Sequence, residues 1–183
     1  MRISAPKQEQ KLSRAGERAG AGFPAGAGIL LGLGFGAFFD GIVFHQLLQW
    51  HHMVSSWYPP DNLASLRLNT LWDGLFHSGA YVLLVVAVYR LAQAARAGRP
   101  LWDGRALLAC WLIGWGVFNL FEGVLDHLAL GVHHVNELVD VGQRWLWDGG
   151  FLLWGALMLI AGWLMRKSAG AGAGAVEQGD GRG

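Results

Sequence analysis

Four long apolar runs limit the folds that this chain can adopt. They cover roughly residues 25–50, 70–91, 106–130 and 145–165, and each is near or above the ~20 residues that a helix needs to cross ~30 Å of hydrocarbon. Because backbone groups in lipid must be hydrogen-bonded within the protein, we expect these runs to be helices. Apolar residues make up 53% of the chain and charged residues only 15%, which indicates an all-α integral membrane protein with a single domain.

The basic residues indicate how the four runs are oriented. All of the 14 Lys and Arg except Arg67 and Arg144 lie in the N-terminal tail, at the end of the second run and in the loop that follows it, or after the fourth run. The positive-inside rule then predicts that both termini are cytoplasmic and that the protein is a multi-pass protein of a bacterial inner membrane. We expect a four-helix domain at residues 23–167 between disordered tails at residues 1–22 and 168–183.

Net charge and cysteine content exclude several classes of function. The net charge is +1 and no basic cluster is present, so nucleic-acid binding is not expected and the lipid bilayer is the expected partner. Cys110 is the only cysteine, which excludes an intrachain disulfide and a thiolate metal cluster. The oligomeric state stays open.

Two stretches of the chain, 82 positions apart, repeat the same order of acids and histidines. The first contains Asp40-Gly41, His45 and His51-His52, and the second contains Glu122-Gly123, His127 and His133-His134. Trp72-Asp73-Gly74 and Trp147-Asp148-Gly149 extend the match. We interpret the chain as a four-helix bundle built from two duplicated helix pairs, which a pseudo-two-fold axis along the membrane normal would relate.

The repeated residues fall at similar depths in the predicted membrane. With a rise of ~1.5 Å per residue, Asp40 and Glu122 lie near the middle of the bilayer. The histidine doublets lie at the outer rim, and four groups share an intermediate depth: His45, His77, Asp126 and His127. The step of five residues between acid and histidine is the weak point, because it separates two side chains by ~140° on an α-helix.

A buried carboxylate needs a partner, and the apolar runs contain no Lys or Arg beside Asp40 or Glu122. An uncompensated charge at this depth costs at least ~2.5 kcal/mol. The partner can be a proton, a set of hydrogen bonds from histidines and amides, or a bound cation. A cation explains why acids and imidazoles occur together, since both are natural ligands of zinc, iron and copper(II).

The sequence therefore yields three groups of candidate site residues. The predicted metal ligands are Asp40, His45, His77, Glu122, Asp126 and His127. Residues that could capture a metal at the outer rim are His51, His52, His133 and His134. Residues that could support the ligands are Gln49, Asp73, Asn119 and Asp148. The ordinary alternatives are hydrogen-bonded structural histidines and, for Asp73 and Asp148, caps at helix N-termini.

These motifs resemble an uncharacterised family of bacterial membrane proteins with four predicted helices. The resemblance covers roughly residues 25–167 and is carried by the patterns DG-x3-H-x5-HH and EG-x2-DH-x5-HH. It implies a fold and a site, without an established activity. Members of the family are often encoded beside cytochrome c oxidase assembly factors, which implies copper or haem traffic at the outer face and a respiratory oxidase or its assembly factors as partners.

Three functions follow as hypotheses. The first is a membrane protein that binds about one transition metal ion near its outer face, with copper favoured over zinc or iron. The second is a haem b protein with the haem between His45 and His127. The third is a metal-dependent membrane enzyme, in which Glu122 or Asp40 acts as a general base on a metal-bound water. A proton or ion pathway is disfavoured, because the cytoplasmic half lacks matching ionisable groups.

Overall fold

The computed structural model describes residues 22–101 and 103–180, and for residues 169–180 it describes the backbone only. The described residues form helices and loops without a strand. The α-helices are α1 (Ala25–Phe39), α2 (Leu63–Arg96), α3 (Gly104–Glu122) and α4 (Arg144–Asp180). Two π-helices continue α1 and α3, namely π1 (Asp40–Leu47) and π2 (Gly123–Leu130), and a short 3₁₀ turn, Val141–Gln143, precedes α4.

Four helical segments are long and apolar enough to cross a membrane. They are Ala25–Leu47, Leu63–Arg96, Gly104–Leu130 and Val141–Ser168. The all-α prediction with four membrane helices is thus confirmed. The second helix begins earlier than the predicted residue 70, because Asn62 accepts hydrogen bonds from the backbone N–H groups of Ala64 and Ser65 and so caps α2 at its start.

The helices pack in the order α2, α1, α3, α4. Helix α1 contacts both α2 and α3, and α3 contacts α4, whereas in the described part of the chain α2 and α4 do not approach each other closely. At the centre of this row Gly32 of α1 meets Gly114 of α3. A Cβ atom on Gly114 would lie 2.8 Å from the backbone nitrogen of Leu33 and 2.9 Å from the Cα of Gly32, so only glycine allows this approach.

Both π-helices end in the same way. Gln49 and Gly131 follow them with φ angles of 50° and 56°, in the left-handed region that glycine adopts most easily. The chain then turns back, so that the N–H of Trp50 donates to the carbonyl of Phe44 at 2.9 Å and the N–H of Val132 donates to that of Asp126 at 3.0 Å. Each turn sends the following histidine doublet back toward the helices.

Two loops, residues 48–62 and 131–140, cover this end of the molecule. They are joined by backbone hydrogen bonds from Ser56 to Val132, at 3.0 Å, and from Glu137 to Trp50, at 2.9 Å. The hydroxyl of Ser56 also donates to the carboxylate of Glu137. Beneath the loops lies a small apolar core of Phe44, Val135 and Phe151. The loops are therefore fixed to each other above the helix ends.

Several sequence predictions concern the ends and the orientation of the chain. The predicted tail at residues 1–22 lies outside the described residues except for Gly22. The backbone of α4 continues to Asp180, into the segment 168–183 that was predicted to be disordered. The disorder of both tails, the cytoplasmic position of the termini and the origin of the two halves by duplication stay predictions.

Candidate metal centre

The π-helices resolve the difficulty of the five-residue spacing. A π-helix hydrogen-bonds residue i to residue i+5, so that side chains five positions apart lie on the same face. Asp40 and His45 both belong to π1, and Glu122 immediately precedes π2, which contains His127. Both acid-histidine pairs consequently face the same interior space, although an α-helix would have turned them apart.

The first half-site consists of Asp40, His45 and His51, which are all buried. Oδ2 of Asp40 lies 2.9 Å from Nε2 of His45 and 3.8 Å from Nε2 of His51. The shorter contact has a hydrogen-bond distance, yet its angle is wrong for one, and both atoms are without a hydrogen-bond partner among the described residues. Asp40 can thus form an ion pair with a protonated His45, but no hydrogen bond joins the three side chains.

The second half-site consists of Glu122, His127 and His133, which are buried as well. Oε1 of Glu122 lies 3.8 Å from Nε2 of His133. Within the described residues, both oxygens of Glu122 and both ring nitrogens of His127 lack a hydrogen-bond partner. In each half-site, one ligand atom from each residue lies within 4.8 Å of the other two.

The two half-sites meet through His51 and His133. Their rings are stacked with centroids 4.5 Å apart and planes 1° from parallel. Nδ1 of His51 donates to the carbonyl of Val135 at 2.9 Å, and Nδ1 of His133 donates to that of Met53 at 3.1 Å. Because a carbonyl only accepts, each Nδ1 carries the proton and each Nε2 presents a lone pair to the centre.

Two further carboxylates stand behind the histidines. Asp73 accepts from Nδ1 of His45 at 2.9 Å, from Nδ1 of His52 at 2.7 Å and from the N–H of Met53 at 2.8 Å. Asp148 accepts from Nδ1 of His134 at 2.7 Å and from the N–H of Val135 at 3.0 Å. Its Oδ1 lies 3.6 Å from Nδ1 of His127, which is too far for a hydrogen bond.

This arrangement is typical of metal-ligating histidines. Such histidines usually donate their second ring N–H to a carboxylate or a carbonyl, which fixes the tautomer and the ring orientation. His45, His51 and His133 all do so. Two ligand atoms ~2.1 Å from one ion lie about 3.0 Å apart at a right angle and about 3.4 Å apart at a tetrahedral angle. The contacts of 2.9 Å and 3.8 Å bracket these values.

Burial also keeps His133 in the form that can bind a metal. This residue lies in the loop at residues 131–140 and has no exposed surface. Burial is the main cause that lowers the pKa of its imidazole well below the ordinary value, and the neighbouring imidazoles of His51 and His127 lower it further. His133 is therefore neutral, and its Nε2 carries a lone pair.

Two predicted ligands lie outside both half-sites. His77 stacks on Phe38 with ring centroids 5.8 Å apart, and its Nε2 lies against Gly41. Asp126 is only half-buried, because the π-helix that turns Glu122 and His127 inward turns Asp126 aside. Among the residues that the structure describes, neither belongs to a group of three potential metal ligands.

Of the four predicted supporting residues, Asp73 and Asp148 form hydrogen bonds with histidines, whereas no such bond is seen for Asn119 or Gln49 among the described residues. Asp73 and Asp148 hold histidines and backbone N–H groups, and neither caps a helix, since each lies within α2 or α4. Asn119 is buried in α3, and its Nδ2 lacks a hydrogen-bond partner in the described part of the chain. Gln49 is exposed, because the left-handed turn at this residue directs its side chain away from the centre.

The histidine doublets differ from the prediction that they lie at the outer rim. His51 and His133 are 2% and 0% exposed and belong to the half-sites, because the loops fold back over the helix ends. Only His52 and His134 keep some exposure, and each is held by a carboxylate. Sequence reasoning did not find the carbonyls of Met53 and Val135, which accept hydrogen bonds from His133 and His51. Met53 and Val135 are 82 positions apart, like the two repeated motifs, and this spacing could have pointed to them.

Comparison with known proteins identifies the family of this chain. A family model described as "Predicted membrane protein (DUF2243)" matches residues 27–169. No curated protein and no solved structure matches the chain. The matched range contains both half-sites and, apart from Ala25 and Gly26, all four membrane helices. The chain therefore belongs to this family of predicted membrane proteins, DUF2243.

Proposed function

We propose that the protein binds transition metal ions at the centre between π1 and π2, one ion in each half-site. One observation carries the proposal. The Nε2 atoms of four buried histidines and the carboxylates of two buried acids converge there, and none has a hydrogen-bond partner among the described residues. Those histidines are His45, His51, His127 and His133, and the acids are Asp40 and Glu122.

Burial makes these groups costly unless something binds them. An unpaired polar group in an apolar interior costs about 1–3 kcal/mol in mutational data, and an ionised carboxylate costs more. No ion pair in the described part of the chain joins Asp40 or Glu122 to a lysine or an arginine. A divalent cation in each half-site would compensate its carboxylate and accept the lone pairs of its imidazoles at once.

The donor set favours iron. Two imidazoles and one carboxylate per half-site match the facial triad of non-haem iron(II) sites, in which the remaining positions stay open. Zinc and copper(II) accept the same donors, and copper was the metal that the sequence favoured. Copper(I) prefers sulfur ligands, whereas Cys110 lies against Gly28, about three helical turns from Asp40.

A haem is less well supported. The imidazoles of His51 and His133 lie beside those of His45 and His127, with centroid distances of 4.5 Å and 4.9 Å. The central rings are themselves stacked at 4.5 Å. A porphyrin between His45 and His127 would have to displace both of them. An optical spectrum without a Soret band in the purified protein would agree with this argument.

A metal-dependent enzyme is the second candidate function. Three protein ligands per ion leave positions for water or substrate, as in catalytic metal sites. A cavity of about 550 Å³ also reaches His51 from the loop side of the molecule. A role in the assembly of a respiratory oxidase and a position in the bacterial inner membrane stay predictions from the resemblance and the charge pattern.

Metal analysis of protein purified without chelators tests the proposal. We expect tightly held iron, zinc or copper in the wild type and about half as much in His127→Ala. The side chain of His127 makes no hydrogen bond within the described residues, so the loss of its imidazole should spare the fold. His77→Ala is the matched control, since this imidazole lies outside both half-sites and should be dispensable.

Two results would contradict the proposal. A folded wild type that contains no metal, and takes up none of these ions in equilibrium dialysis, would remove it. Equal metal loss in His77→Ala and His127→Ala would show that the ions bind elsewhere. The same samples give the fold by circular dichroism, so a loss of metal can be separated from unfolding.

A further inference from the structure

A cavity on the loop side of the molecule is not explained by metal binding alone. Its volume is about 550 Å³, which is within the range of sites for small molecules. It lies between the loop at residues 48–62 and the loop at residues 131–140, which are fixed to each other by the hydrogen bonds of Ser56 and Glu137. The cavity is consequently preformed.

Arg144 is the feature of this cavity that indicates a ligand. It is the only arginine or lysine among the described residues that line the cavity. Its Nη2 donates to the backbone carbonyl of Glu137 at 3.3 Å, while its Nε is buried without a hydrogen-bond partner in the described part of the chain. None of the ion pairs between described residues includes Arg144.

The other walls restrict the kind of anion. Trp50, Leu66, Leu138 and two prolines give the cavity an apolar side, which suits a ligand with a hydrocarbon body. Glu137 also lines the cavity, so one acid accompanies the one guanidinium. The near balance of one positive and one negative side chain favours a monoanion over a doubly charged phosphate. In addition, the planar guanidinium of arginine can donate two parallel hydrogen bonds to a carboxylate.

We infer that the cavity binds a small organic monocarboxylate, with its carboxylate on Arg144 and its hydrocarbon body against Trp50 and Leu138. His51 and His52 also line the cavity. A bound carboxylate would thus lie next to the first half-site. Its use as a substrate or exchangeable ligand of a metal ion rests on the proposed function, whereas its binding to Arg144 does not.

Calorimetric titration of butyrate into the detergent-solubilised full chain, with chelator present, tests the inference. We expect saturable binding in the wild type and a loss of about tenfold or more in Arg144→Gln, because the bidentate partner is removed. Arg67→Gln is the matched control. Arg67 lies near the start of α2, as Arg144 lies at the start of α4, but it does not line the cavity. Arg144→Lys, which keeps the charge and loses the fork, should bind with intermediate affinity.

Several results would overturn the inference. Butyrate binding that is unchanged in Arg144→Gln would do so, as would butanol binding as tightly as butyrate. Inorganic phosphate binding more tightly than butyrate would show a site for a dianion instead. Metal content is measured on chelator-free samples of the same proteins. Wild type that binds butyrate but never metal would remove the proposed function and leave this inference standing.

Discussion

The two half-sites share one framework but differ in how their polar atoms are satisfied. In the first, His45 is held between two acids, with Nδ1 2.9 Å from Asp73 and Nε2 2.9 Å from Asp40. In the second, the nearest carboxylate to Nδ1 of His127 is 3.6 Å away, and Glu122 approaches His133 only to 3.8 Å. The protein's own groups come close to compensating the first half-site and leave the second open.

This difference identifies the part of the molecule on which metal binding depends most. The contacts of the first half-site could be explained by a structural network of acids and histidines. The second half-site has no such explanation, since Glu122 and His127 form no hydrogen bonds through their side chains within the described residues. Substitutions that separate the half-sites, or that affect one half-site more than the other, can test this difference.

Gly114→Leu should separate the half-sites. A side chain at Gly114 meets the backbone of α1 at under 3 Å, and neither backbone can move without parting the central helices. We expect a loss of more than ~3 kcal/mol of stability and of the metal from both halves. Size-exclusion chromatography in detergent and metal analysis measure this. Gly79→Leu is the control, because the space around Gly79 is open, and an equal loss there would contradict the packing argument.

Exchange of each acid for its amide should affect the halves differently. Glu122→Gln and Asp40→Asn should each weaken metal binding by at least ~10-fold, as ligand losses. Without metal, Glu122→Gln should be as stable as the wild type or more so, since it removes a buried carboxyl group that has no hydrogen-bond partner among the described residues. Asp40→Asn should be less stable, because it removes the close partner of His45.

Thermal unfolding of chelator-treated and metal-loaded samples measures both effects. Asp126→Asn provides the control, since Asp126 lies on π2, four residues after Glu122, but outside the half-site. The comparison of the half-sites would be wrong if Glu122→Gln destabilised the metal-free protein as strongly as Asp40→Asn does.

Asp73→Asn should destabilise the protein more than Asp148→Asn. Asp73 accepts three hydrogen bonds from His45, His52 and Met53, whereas Asp148 accepts two. An amide places an N–H group against these donors and leaves some of them unsatisfied, at about 1–3 kcal/mol each. Denaturation followed by circular dichroism gives the order of stability. A larger loss in Asp148→Asn would show that the second half-site depends more on its supporting acid.

The smallest effect concerns the equivalent turns at Gln49 and Gly131. Gly131→Ala should cost about 1 kcal/mol, because its φ of 56° is unfavourable for a residue with a Cβ atom. Gln49→Gly relieves the same strain in the folded protein, but glycine also gives the unfolded chain more conformational entropy, which offsets part of the gain. The free energy of unfolding should therefore stay unchanged or rise by less than ~1 kcal/mol. The same unfolding measurement should detect a clear loss in Gly131→Ala only.

Much of the fold could be predicted from the sequence because its signals are local. Four apolar runs define the membrane helices, and Gly28, Gly32 and Gly36, which recur every four residues in the first helix, indicate a close approach between helices. The recurrence of acid-glycine and histidine at one spacing also indicated that Asp40, His45, Glu122 and His127 act together. The packing order of the helices is a long-range property that no such pattern contains.

The rest of the site could not be predicted because it depends on departures from regular structure. An α-helical reading gives the five-residue spacing the wrong angle, and only a π-helix aligns Asp40 with His45. The membrane depth of His51 and His133 was estimated by counting residues from the helix ends, which assumes that the chain continues straight. This estimate places both residues at the outer rim, although the loops fold back and bury them. The second π-helix, π2, turns Asp126 away, which explains why equal depth did not bring this residue to the centre.

X-ray absorption at the edge of the bound metal tests the central claim most directly, since it reports the ligands of the ion itself. We predict a first shell of nitrogen and oxygen only, with the multiple-scattering pattern of about two imidazoles per ion, and a decrease in that pattern in His127→Ala but not in His77→Ala. A spectrum with sulfur ligands, or one without imidazole, would contradict metal binding by the histidine-carboxylate centre.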